Sequence, residues 1–174
     1  MILTVSNPET PTEQCDGCAD VDDHMNGSRD TYKSTAVRLF EELQAEFPQL
    51  SMSIDANNSY VEVNVEVSRQ PRLEFDVYLN LQNEDELHLS AGGFWCSWFP
   101  ISNPKVVRNY RDAVVGIISG RYRILEYVRR GRVVGADLQA PDGSEWKTVA
   151  KSCSGILPVS WWATRRVLRN ESFV

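Results

Sequence analysis

Asn80, His88 and Cys96 fall at equal intervals along the chain, and an asparagine, a histidine and a cysteine are the parts of one thiol-nucleophile design. In it an imidazole activates the thiol and an amide orients the imidazole. If the chain folds back at Gly92-Gly93 so that Leu89 meets Trp95, His88 lies across from Cys96 on one side and from Asn80 on the other. A slip of one residue in that hairpin sends Cys96 to the opposite face, and nothing nearby identifies an oxyanion hole. The plainer reading makes His88 a surface strand residue and Cys96 a small buried hydrophobe.

Two further groups have chemistry to offer. Cys15-Asp16-Gly17-Cys18, followed by His24, supplies thiolate and imidazole donors suited to tetrahedral zinc, but no second pair completes four ligands. Glu62, Glu66, Glu74 and Asp76 recur at strand spacing. If Val67 pairs with Leu73, then Glu66 faces Glu74 and Asn64 faces Asp76, a crowding of carboxylates that calls for a cation above them. That cation could be an arginine from later in the chain, a metal ion, or a basic partner protein. No calcium-loop spacing is present. A row of regular carboxylates favours charge-steered association with a protein.

The elements that position these groups are legible from periodicity. Val61, Val63, Val65 and Val67 alternate with polar residues, and Leu73, Phe75, Val77, Leu79 and Leu81 repeat the pattern. A period of two writes strands with one apolar and one polar side. Keeping the apolar sets on one face requires connections of odd length. Arg69-Gln70-Pro71 or the stretch 68–72 would serve for the first, and 82–86 between Leu81 and Leu87 for the second. Phe94-Trp95-Cys96-Ser97-Trp98-Phe99 is bulky on both sides, so it is either covered twice or shows an aromatic patch to a partner through Trp95 and Trp98.

Around this centre, 34–47 reads as an amphipathic helix stopped by Pro48, and Leu50, Met52 and Ile54 as a short edge strand. Ser102-Asn103-Pro104 is a helix start, with Val107, Tyr110, Val114, Ile117 and Ile118 on one face and Gly120 at the end. Strands follow at 122–128, 133–138 and 145–150, and 160–169 is expected as a short helix carrying tryptophans and arginines. Residues 1–30 are expected as a flexible acidic tail and 31–174 as a single domain. Met25, just ahead of the first helix, offers an alternative start.

The chain has 174 residues, 42% hydrophobic and 24% charged, which is ordinary for one globular domain. Its net charge of −6 divides unevenly. Residues 1–100 hold 5 Lys+Arg against 18 Asp+Glu and residues 101–174 hold 13 against 6, so the halves carry about −13 and +7. Either the halves attract each other within one fold, or the molecule has an acidic and a basic face. The overall acidity opposes nucleic-acid binding despite Arg121, Arg123, Arg129, Arg130 and Arg132. There is no secretory signal or membrane-length apolar run, and a cytoplasmic setting with reduced cysteines is expected. No nucleotide-loop, hydrolase-elbow or zinc-protease motif is present.

The expected fold is α+β, a mostly antiparallel sheet of meander strands with two amphipathic helices packed on one face. In its order of elements over 34–150 and its acidity the chain resembles small type III secretion chaperones and bacterial toxin-immunity proteins. That resemblance carries no motif and no functional residue, and the long strand-rich second half departs from the chaperone pattern. It implies a protein-binding role. The expectation is a non-enzymatic domain without cofactor that grips a basic protein partner, or a second copy of itself, through the acidic face or the aromatic strand. The competing class is a cysteine-dependent hydrolase or transferase using Cys96 and His88.

Overall fold

The computed structural model describes residues 20–152 and 163–172, with side chains from residue 29 onward. The order is α1 (Asp20–Glu46), β1 (Ser53–Asp55), β2 (Val63–Val67), β3 (Val77–Gln82), β4 (Glu86–Ala91), β5 (Phe94–Trp98), α2 (Pro104–Ile118), β6 (Arg123–Arg129), β7 (Arg132–Asp142), β8 (Glu145–Lys151) and β9 (Thr164–Leu168). Strands β1 to β5 form one antiparallel sheet in sequence order, and β8-β7-β6-β9 form a second. The molecule is therefore α+β with antiparallel sheets, as the alternation requires.

Valines and leucines of the first sheet point to one side. Val63, Val65, Val67, Val77, Leu79, Leu81, Leu87 and Leu89 are all buried there, in one core with Leu39, Phe40 and Leu43 of α1 and Tyr110, Val114 and Ile117 of α2. Burying a side chain of this size contributes about 1.5–3 kcal/mol, which makes this face the main source of stability. The Tyr110 ring lies between Phe40 and Trp98, and its hydroxyl donates to the His88 carbonyl at 3.0 Å. Burial raises the Tyr110 hydroxyl well above its ordinary pKa, so it stays a donor. An exposed pair, Arg111 with Glu46, joins the helices at the rim and adds little.

α2 starts where the sequence places it. Asn103 accepts from the Lys105 amide at 3.0 Å, Pro104 sits at the first helical position, and Gly120 leaves the helix at φ +69°. α1, in contrast, extends back to Asp20, the first described residue, into the stretch expected as tail, and no proline stands between Asp20 and Pro48 to interrupt it. The expected C-terminal helix is corrected over 164–168: these residues form β9, pairing with β6, whose free edge gives their amides and carbonyls ladder partners. Residues 160–162 lie outside the described part.

The first connection differs in length from the expectation while keeping its parity, the second is as expected, and the third departs by one residue. Val67 meets Val77 rather than Leu73, leaving nine residues in the first connection, an odd number. Gln70 and Leu73 form a small bridge within it, and Leu73 turns into the core. Leu81 meets Leu87 as expected. At Gly92-Gly93 the turn is the tightest of the first sheet, with Ala91 directly opposite Phe94.

The second sheet docks through that turn. Glu126 of β6 is completely buried, and its carboxylate accepts from the Gly93 amide at 2.7 Å and from Arg166 at 2.6 Å. A Cβ on Gly93 would stand 2.5 Å from Val133, so only glycine lets the turn approach this closely. Asn170 closes the other end. It donates to the Ile117 carbonyl and accepts from the Glu74 amide, tying α2, the first connection and the end of β9 together.

Candidate functional site: the open face of the first sheet

Opposite the core, the first sheet presents its polar side, and register decides which residues stand together there. One cross-strand row is Glu66, Tyr78, Ser90 and Trp95, and the next is Asn64, Asn80, His88 and Ser97. In the first row Tyr78 and Trp95 are 39% and 41% exposed, with only the small Ser90 between them. Two large rings left open on a polar strand face are the feature that most asks for an occupant. Glu66 and Asp76 are exposed beside them. The Tyr78 hydroxyl is held above its ordinary pKa, first by desolvation and then by the charges of Asp76 and Glu66.

The second row is tied together from within. Asn80 donates to Asn64 at 3.0 Å and Gln82 donates to Asn80 at 3.3 Å. His88 is buried, its ring 5.3 Å from that of Trp95 and its Nε2 3.1 Å from the Glu86 carboxylate. Its Nδ1 has no hydrogen-bond partner among the described residues. Trp95 thus rests on a firm support, which lowers the entropy lost when something docks on it.

Cys96 stands apart from this group. It pairs with Leu89, not with His88, and neighbouring pairs along a ladder project to opposite faces, so its thiol side belongs to the core face. Asn80 and His88 are brought together and the thiol is not. The cause is the tight turn at Gly92-Gly93, which shifts β5 by one position from the register that would join all three. The same alternation separates the two tryptophans. Trp95 faces outward, whereas Trp98 meets Tyr110 edge-on at 5.4 Å and lines a cavity of about 400 Å³ with Ala113, Tyr122 and Lys147.

The four candidate carboxylates also divide. Glu62 accepts from the Glu84 amide at 3.1 Å, and Asp76 accepts from the Arg69 amide at 2.6 Å. Glu66 faces Tyr78, and Glu74 belongs to the first connection, so the expected facing of Glu66 with Glu74 and of Asn64 with Asp76 does not occur. Among the described residues no ion pair links Glu66, Glu74 or Asp76 to an arginine of the second half. No three His, Cys, Asp or Glu side chains among them are placed to share a metal ion. Cys15 and Cys18 lie outside the described residues, and His24 falls in α1 where side chains are not described. No described helix is long and apolar enough to cross a membrane.

Glu126 and Asn170 were not visible as structural keys from sequence. The one signal for Glu126 is its position between Ile124 and Val128, a carboxylate on the strand side that carries apolar neighbours. No protein-family model matches this chain, and neither does any curated protein or solved structure to which it was compared.

Proposed function

We propose that this chain is a non-enzymatic protein-binding domain, working in the cytoplasm, whose first sheet receives a basic segment of another protein. The observation that carries this reading is the open row of Tyr78 and Trp95 edged by Glu66 and Asp76. A guanidinium or ammonium group gains from an aromatic face and from a neighbouring carboxylate together. The residues above the row are already bonded to one another, so they need no rearrangement to admit a partner. The excess of carboxylates in the first half would speed the encounter with a cation and make it salt-dependent. A chaperone-like or immunity-like role follows naturally from such a surface.

The test is titration with an arginine-rich peptide and with its glutamate-substituted control, at low and high salt. Wild type should bind the cationic peptide alone, and more weakly as salt rises. Removing both rings (Tyr78→Ala with Trp95→Ala) or both charges (Glu66→Gln with Asp76→Asn) should weaken binding about tenfold or more. Affinity unchanged in both double variants rules out this face. Cross-linking from a photoreactive residue at position 78 in the native cell, followed by mass spectrometry, would then identify the partner.

A further inference from the structure

The outer face of the second sheet holds an arrangement that the proposed protein-binding role does not use. Arg123 lies over the Trp146 ring at 4.2 Å from its centroid, and Arg169 approaches the same ring at 5.3 Å. Each guanidinium is fixed at one nitrogen: Arg123 Nε donates to Gln139 at 2.8 Å, and Arg169 Nε donates to the Gly120 carbonyl at 2.6 Å. Gln139 is itself buried and reaches Thr148, which donates to Asp137, as does Tyr127. No carboxylate among the described residues pairs with either arginine. Like charges are therefore gathered at one ring without a counter-charge, and the Arg123 guanidinium is held below its ordinary pKa by desolvation first and by Arg169 second.

We propose that Arg123 and Arg169, gathered at Trp146, form a binding site for a tetrahedral oxyanion, and that a phosphate group is its ligand. With both Nε atoms committed, the terminal nitrogens remain as two donor sets. A carboxylate presents two oxygens in one plane, which match a single guanidinium fork, whereas a phosphate carries more charge and spreads its oxygens tetrahedrally, so that two forks approaching from different directions each meet their own. The fixed side chains have already given up their rotamer freedom, so little ordering remains when the anion arrives.

The experiment is titration of the full chain with inorganic phosphate, phenyl phosphate and acetate, following the Arg Nε–Hε resonances by NMR. Phosphate in the range of about 1–10 mM should shift the Arg123 and Arg169 signals saturably, and acetate should not. Arg123→Gln and Arg169→Gln should each weaken binding about tenfold, and Arg123→Lys, which keeps the charge and loses the fork, should fall between. Tighter binding of phenyl phosphate supports a phosphate ester as the ligand, and equal or weaker binding supports the free anion. Circular dichroism confirms that the variants are folded. Unmoved resonances, an equal response to acetate, or unchanged affinity in folded single variants overturns the proposal.

Discussion

In the first sheet Glu66 stands in solvent beside Tyr78, whereas in the second Glu126 is wholly buried and joined to Arg166 and the Gly93 amide. Both are strand glutamates between apolar or aromatic neighbours, Glu66 between Val65 and Val67 and Glu126 between Leu125 and Tyr127. What separates them is the partner layer. The polar side of the first sheet is left open, while the β6 side that carries Glu126 is closed by the turn between β4 and β5. An exposed carboxylate contributes little to stability and is free to act on a partner. A buried one is held by its bonds and fixes how two layers meet. The same contrast holds for the arginines. Arg166 neutralises Glu126, whereas Arg123 and Arg169 share a tryptophan and keep their charge available.

Three variants would break or sharpen that contrast. The largest effect is expected from Glu126→Ala, which leaves the Gly93 amide without its acceptor and opens the sheet junction. Chemical denaturation should show a loss of about 3 kcal/mol or more, and a loss under about 1 kcal/mol would mean that Glu126 does not hold the layers together.

Tyr110→Phe should cost about 1 kcal/mol near neutral pH, the worth of one hydrogen bond. It also carries a pH signature. The folded Tyr110 pKa is raised, so both states are protonated below the ordinary value near 10, and above it the unfolded chain ionises first. Stability should therefore be complete below about pH 10 and decline as pH rises further, and Tyr110→Phe should remove part of that alkaline decline. Identical alkaline profiles for the two proteins would contradict the burial of this hydroxyl.

The smallest change in stability, within about 0.5 kcal/mol, is expected for Glu66→Gln with Asp76→Asn, since both carboxylates face solvent. A large loss would make these charges structural and remove the contrast with Glu126.

Much of the fold was legible in the sequence, and its limits have definite causes. The alternation of valines and leucines from Val61 to Leu89 assigns every side chain of β2 to β4 to a face, and the Leu81–Leu87 pairing follows from it. Asn103, Pro104 and Gly120 mark α2 because capping and left-handed geometry are local properties of the chain. The candidate site was legible only in part. Glu66, Asp76 and Trp95 remain on the open face, Tyr78 was not singled out, and Trp98 turns to the helices.

Sequence by itself determined which residues share a side and that the connections after β2 and β3 are odd in length, because strand periodicity acts at short range. Tertiary structure alone decided how long the first connection is, and that β5 is shifted by one position at Gly92-Gly93, parting Cys96 from His88. It alone decided which glutamate is enclosed and that Arg123 and Arg169 have no carboxylate partner among the described residues. Those outcomes depend on how closely separate layers approach, and the contacts that set that approach join residues distant in the chain.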